Sequence, residues 1–427
     1  MQLNKLKKNE INANLLKFSS ENELKAIVQS DNELIPEGAD YSCGEGNLNF
    51  TVVSTQDFNS ILSFDENQGV ITCESGVRFS DILNIFLPKG WILPVIPEAK
   101  FITVGGAIAS DVHGKNHYKK GSFSNYLISF DIMLADGSIM TCSRAENTDL
   151  FLATCGGMGL TGIILRAAFK LLKVETSYMY QESIKARNLE ELLEIFEYSR
   201  DFDYSAAWVD NLANGKNLGR GIVIRARHAV RQDLTEGVFK KQHSIPTEFN
   251  LLSQKMFNFL YFNYKKKKNK FIVPCNEFFY LFKETYNWNK QFYQDKAQYI
   301  PYQFVLPKKS GYEGLSQILN RINKSKQRSF GAALTLFGKQ NTLISFPMEG
   351  YSLNINFLAS SDLFFFLHEL DELVLKYNGR LNLAKDARIT KEMFEKSYPD
   401  NEKFKALKHK FDNKGKFQSL QSKRIGI

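Results

Sequence analysis

The stretch TVGGAIASDVHGKN, residues 103–116, decides how the chain is read. Gly105, Gly106 and Gly114 let backbone amides approach a ligand and let the chain turn at positive φ. A helix starting near Gly105 and Gly106 would add its amino-terminal dipole, which favours a phosphate. Working outward, a proline-bounded lead, Pro94 to Ile102, precedes this run. A second glycine loop lies upstream, from Pro36 to Asn47, and a third downstream, from Thr154 to Ile163. No GxxxxGK[ST] loop is present, and neither a P-loop nor a Rossmann site is indicated.

The chain has 427 residues, 43% hydrophobic and 24% charged. That length favours two domains, and that balance excludes a disordered, collagen-like or small disulfide-bound chain. No apolar run approaches the roughly 20 residues of a spanning helix. Met1 to Asn12 is polar and lysine-rich and does not read as a secretory signal. Cys43, Cys73, Cys142, Cys155 and Cys275 are scattered without a CxxC and read as reduced thiols in a cytoplasmic protein. The net charge of +9 favours an anionic ligand or surface.

Texture divides the chain near Leu172. Before it, short β-like runs alternate with small helical patterns and glycine turns. Ile128 to Leu134 and Ser138 to Cys142 flank an Asp136-Gly137 turn, which predicts a hairpin. Asn147 to Ala153 suits a helix, and Gly162 to Leu172 a strand. Beyond Leu172, Asn188 to Arg200 carries a helical apolar stripe. Strand-like runs follow at 205–210, 221–226, 300–306, 332–337, 343–346 and 353–357, with helical patterns at 312–324 and 361–377. The second region therefore reads as α+β, built on an antiparallel sheet.

Residues 251–300 stand apart, with 15 aromatics and nine lysines against three acids. Two readings stay open: a solvated lysine turn between two helices that bury their aromatics, or a surface meeting anionic headgroups. A nucleic-acid patch has no other support in the chain.

These glycine loops resemble an FAD-binding oxidase of the vanillyl-alcohol-oxidase type, and within it the decaprenylphosphoryl-β-D-ribose 2′-oxidases. The resemblance rests on residues 103–116, Gly121-Ser122-Phe123, Ala135-Asp136-Gly137 and residues 154–163. It extends through Tyr204 to Trp208, Tyr302 to Val305, Leu336-Phe337-Gly338, Ser345-Phe346-Pro347, Ala384 to Arg388 and Lys414 to Phe417. It implies an α+β fold with a discontinuous FAD domain, 1–172 and 379–427, around a substrate domain, 173–378.

The resemblance also implies roles. Gly38, Ala39, Asp40, Tyr41, Ser42 and Asn47 would wrap the FAD pyrophosphate. Thr103, Gly105, Gly106, Ser110, His113 and Asn116 would line the cofactor, with Ile163 contacting it through its backbone and Ala384 touching it. No histidine stands in the first loop, so FAD would be non-covalent. Lys385, His113 and Tyr41 would be catalytic; Lys115, Trp208, Gln303, Phe337, Asn354 and Lys385 would bind substrate. From the residues alone, His113 is equally a structural hydrogen-bonder, and Lys385 an ordinary surface lysine. His113 and His117 have helical metal spacing but no supporting ligands, and no metal is expected. The chain departs from the family at Ala39, where an arginine is usual. It departs again at Asn354, Thr335, Ser352 and Asn382, where cysteine, lysine, asparagine and tyrosine stand.

The implied activity is oxidation of a secondary hydroxyl of a polyprenyl-phosphate-linked pentose, by hydride transfer to flavin N5. A separate NAD(P)H-dependent short-chain reductase would complete an epimerisation. The enzyme would be cytoplasmic and peripheral on the inner face of the plasma membrane, held through 251–300. The alternatives are a soluble sugar, alditol or aldonolactone oxidase, and a flavin-less binding or scaffold subunit.

Overall fold

The Asp-Gly turn does close a hairpin, Leu127–Met133 against Ile139–Ser143, at one edge of a five-stranded antiparallel sheet. A computed structural model of the chain describes residues 13–30, 32–42, 44–239, 251–264, 267–280 and 299–427. The hairpin pairs with Ile163–Lys170, then Val70–Glu74 and Ile61–Asp65. A small parallel sheet of Asn14–Lys17, Thr51–Ser54 and Ile35–Glu37 lies at the start of the chain. The carboxyl tail returns to it: Leu34 N–H donates to Lys416 O at 2.9 Å, and Gln418 N–H to Leu34 O at 3.0 Å.

The second sheet has eight antiparallel strands, in the order 268–274, 178–186, 221–228, 204–209, 329–337, 350–358, 299–307 and 380–381. Along its central strands, apart from an irregularity between Phe330 and Ala333, every second side chain faces the same way. Tyr302, Phe304 and Leu306, Ala332, Leu334 and Leu336, and Leu353, Ile355 and Phe357 share one core. Helices Leu189–Tyr198, Lys308–Lys324 and Leu363–Lys376 bury Leu192, Phe196, Ile318, Leu319, Phe366 and Leu370 against that face. Each such side chain contributes roughly 1.5–3 kcal/mol. A period of two then sends Gln303, Ala333, Thr335 and Asn354 to the opposite face.

Two expectations fail. Leu343–Phe346 forms no strand; its chain is committed elsewhere, with Ser345 Oγ donating to Asp111 at 2.6 Å and Ser345 O accepting from Arg380 at 3.2 Å. The 251–300 segment does not place its lysines between two helices. Helix Leu251–Tyr264 is followed by strand Lys268–Pro274, because the alternation that buries Ile272 pairs it with 178–184. Cys43, Lys265, Lys266 and 281–298 lie outside the described residues.

Two buried polar groups join the glycine-rich region to the second sheet. Asp111 accepts from Ser124 N–H, Ser345 Oγ and Gln340 Nε2, and burial raises its carboxyl above the usual range. His117 accepts from Gly338 N–H at Nδ1, 3.1 Å, which leaves its proton on Nε2, 3.2 Å from Ser122 Oγ. Burial holds His117 down to about 3, against 6.5 ordinarily. The folded state therefore binds fewer protons between those values, so stability is lost as pH falls through that window. From about pH 7 to about pH 5 this one group is expected to remove about 2 kcal/mol. Denaturant titration of His117→Gln should show that part of the loss abolished; an unchanged slope would refute it.

Candidate active site

The polar face of the second sheet and the glycine loops enclose a cavity of about 310 Å³. Gln303, Ala333, Thr335 and Asn354 supply the sheet wall. The opposing wall comes from Gly38, Ala39, Asp40, Tyr41, Ser42 and Asn47, and from Thr103, Gly105, Gly106, Ser110, His113 and Lys115. Ala384 and Lys385 close one side. Lys385 stands far from the first loop in sequence, yet Ser42 Oγ and Gly44 N–H both donate to Ala384 O, at 2.9 and 3.3 Å. A Cβ at Gly44 would overlap Asp386 O, so only glycine permits this approach.

Four expected residues do not line the cavity. Asn116 is buried behind it, its Nδ2 donating to Pro94 O at 2.8 Å. The Ile163 side chain points into a small core with Leu165 and Phe417, while its backbone, the part expected to meet the cofactor, runs between Gly162 and Ile164, which both line the wall. Trp208 packs on Tyr261, ring centroids 4.9 Å apart. Phe337 lies one layer back, 4.8 Å from the His113 ring and 4.7 Å from His117. Sequence reading passed over Ser75, Glu37 and Glu98, which line the cavity without any motif to mark them. Gly157, Gly159 and Gly162 do carry the G-x-G-x-x-G spacing. That run follows helix Thr148–Thr154 and enters strand Ile163–Lys170, the reverse of the strand-to-helix order a dinucleotide fingerprint needs.

The anticipated helix is present, Val104–Ala109, but its amides are engaged. Val104 N–H donates to Val77 O, Gly105 N–H to Ser75 O, Gly106 N–H to Thr103 Oγ1 and Ala107 N–H to Thr103 O. These four amides are therefore spent within the protein, although Thr103, Gly105 and Gly106 still line the cavity. The open donors lie in the first loop: among the described residues, the backbone N–H groups of Gly38, Ala39 and Tyr41 meet no protein acceptor. Ser75 Oγ and Asn47 Oδ1, on two lining residues, are buried without a hydrogen-bond partner. A large cavity edged by open amides and unpaired polar atoms fits a long polar cofactor.

His113 sits among Phe337, Phe346, Gln303 and Lys385. Burial, then His117 and Lys385, hold its imidazole well below 6.5, so it is neutral. Lys385 Nζ donates to Asn354 Oδ1 at 3.3 Å. Lys115 Nζ donates to Phe279 O at 2.6 Å and lies 3.8 Å from Glu98; burial lowers its proton affinity and Glu98 raises it. Asn47 Nδ2 donates to Glu37 at 2.9 Å and to Asp40 at 2.7 Å.

Comparison with known proteins now bears on this geometry. Residues 13–143 match the FAD binding domain family. The chain is 31% identical to decaprenylphosphoryl-β-D-ribose oxidase of Mycolicibacterium smegmatis, over 91% of this chain and 88% of that protein. It is 22% identical to mouse (Mus musculus) L-gulonolactone oxidase, over 91% of this chain and 87% of the other. Rat (Rattus norvegicus) Δ24-sterol reductase matches 32% of the chain at 30% identity and covers 27% of that protein. The fold and site thus define an FAD-dependent oxidoreductase of the vanillyl-alcohol-oxidase type. Within that class, the chain belongs to the decaprenylphosphoryl-β-D-ribose oxidase family.

A Cβ at Gly38 would overlap Thr103 Oγ1, which caps the helix at Gly106 N–H. Gly38→Ala is therefore expected to weaken FAD binding by at least about tenfold, reading about 1.4 kcal/mol or more. Flavin absorbance of the purified variant, titrated with FAD, checks this.

Proposed function

We propose that this enzyme oxidises a secondary hydroxyl of a polyprenyl-phosphate-linked pentose to a ketone. The observation that carries the reading is likeness along nearly the whole chain to an oxidase of a decaprenylphosphoryl ribose, with Lys385 and His113 facing the shared cavity. Bound FAD supplies the acceptor for the hydride leaving the carbinol carbon. Gly38, Ala39 and Tyr41 would hold its phosphates through backbone N–H groups, which need no arginine at position 39. Gln303 and Asn354 would bind sugar hydroxyls, and Lys385 would stabilise negative charge growing on the substrate oxygen as its proton leaves. Phe337 and Phe346 exclude water behind His113. We read 1–172 and 379–427 as one cofactor-holding unit and 173–378 as the substrate unit. Strand Arg380–Leu381 pairs with Phe304 and Val305 and is the join between them. The ketone would pass to a separate NAD(P)H-dependent reductase, making the pair an epimerase.

A soluble carbohydrate oxidase is the second reading, favoured by the likeness to L-gulonolactone oxidase and by the altered pocket at Thr335, Ser352, Asn354 and Asn382. Anaerobic mixing of the holoenzyme with a polyprenyl-phosphoryl pentose, and separately with free pentoses and aldonolactones, decides between them. Bleaching by the lipid-linked sugar alone is expected; bleaching by a free sugar alone would overturn the first reading. Lys385→Met should slow bleaching by at least about 100-fold, or about 2.7 kcal/mol, with FAD retained.

The substrate's prenyl tail implies a membrane, and no helix among the described residues is long and apolar enough to cross one. We propose instead that helix Leu251–Tyr264 lies on an anionic bilayer. Its inner side buries Asn258 and Phe262, whereas Met256, Phe259, Leu260 and Tyr264 are exposed at helical spacing. Exposed Lys255, Lys267, Lys268 and Lys270 flank them. Flotation with phosphatidylglycerol vesicles should carry the protein upward, and M256E/F259E/L260E should stay at the bottom. A wild-type chain that also stays at the bottom would refute this.

A further inference from the structure

The side-chain amide of Asn382, at the edge of the cavity, can be oriented without ambiguity. Ala384 N–H, an obligate donor, gives its proton to Asn382 Oδ1 at 3.0 Å. Asn382 Nδ2 therefore faces Gln303, donating to its Oε1 at 2.9 Å. That orients the second amide: Gln303 Nε2 donates to Ser352 Oγ at 3.1 Å and points at His113 Nε2 at 3.4 Å. A donor aimed at Nε2 requires a lone pair there, so the imidazole proton sits on Nδ1. Neighbouring His117, with Gly338 N–H aimed at its Nδ1, holds the opposite tautomer.

We propose that Asn382 is a positioning residue that fixes His113 as a neutral Nδ1–H donor. The same side chain caps the turn Leu383–Lys385, and Lys385 N–H donates to Asn382 O at 3.0 Å. One residue thus places Lys385 and sets what His113 offers to the cavity. With Nε2 accepting from Gln303, the group His113 has left to offer the cavity is the Nδ1–H donor. That donor orients a substrate or cofactor oxygen, and in this tautomer His113 is not the base for the hydroxyl proton. The catalytic meaning rests on the oxidoreductase assignment, whereas the tautomer does not depend on which sugar is oxidised.

The test is ¹⁵N spectroscopy of the FAD-loaded, histidine-labelled protein at neutral pH, with the His113 signals assigned by their loss in His113→Gln. Wild type is expected to show Nδ1 protonated and Nε2 bare. Asn382→Asp keeps the bond from Ala384 N–H but has no proton to donate. Gln303 must then turn its amide to the carboxylate and present Oε1 to His113, and the proton is expected to move to Nε2. A proton on Nε2 in wild type, or an Asn382→Asp protein with Nε2 still bare, overturns the proposal. Should Asn382→Asp fail to fold, Gln303→Glu removes the same donor, and Nε2 is again expected to gain a proton; a bare Nε2 there overturns it equally.

Discussion

The two-residue period of strands 299–307, 329–337 and 350–358 is the constraint on which the rest depends. Side chains on one face must satisfy three packed helices, and those on the other must satisfy a ligand. Phe304, Leu334 and Leu353 serve the first demand, and Gln303, Thr335 and Asn354 the second. A one-residue slip in register would exchange the two sets. The hydrophobic core is therefore what holds the amides in the cavity, and the substrate wall inherits its rigidity from helices it never touches.

Charge inside this frame is rationed. His117 is buried and His113 and His228 are part-buried, and all three are held below their ordinary range chiefly by desolvation, so each is neutral. Asp111 pays for burial through three strong donors and ties residues 340–345 to the glycine-rich region. Arg388 and Asp371 form a buried pair at 2.7 Å, with Tyr302 donating to the same carboxylate at 2.9 Å. That pair anchors the segment after Lys385 to helix Leu363–Lys376. Removing either partner would leave an uncompensated charge, which costs more than the pair contributes. The lysine's position is thus enforced from both sides, by Asn382 before it and Arg388 after it.

What the sequence made legible was governed by local rules. The Asp136-Gly137 turn, the stripe Leu189 to Phe196 and the alternation of 353–357 each encode their own element. What it concealed depends on distant partners. Leu343–Phe346 is apolar enough for a strand, but Asp111, over 200 residues away, claims Ser345. The helix at Val104 was legible as a helix; that Ser75, Val77 and Thr103 absorb its amides was not. Trp208 and Phe337 were placed in the cavity by resemblance, yet their strand positions and aromatic neighbours hold them outside it. The loop with eroded side chains, Pro36 to Ser42, still presents open backbone donors to the cavity, since backbone donors survive substitution.

The departures from the family pattern share a chemistry. Thr335, Asn354 and Asn382 are all neutral groups that both donate and accept. Such groups cannot neutralise a phosphate, but they can order one another, and a chain of amides running from Ala384 to His113 is the result. Selectivity in a pocket of that kind comes from directed hydrogen bonds, because a misplaced hydroxyl leaves a buried amide unpaired. Two lysines line the same cavity, Lys385 held by Asn354 and the more buried Lys115 beside Glu98. The glycine-loop side of the cavity is edged by backbone donors and tolerates change; the sheet side is built of side chains whose orientations are mutually fixed, and there a single substitution propagates.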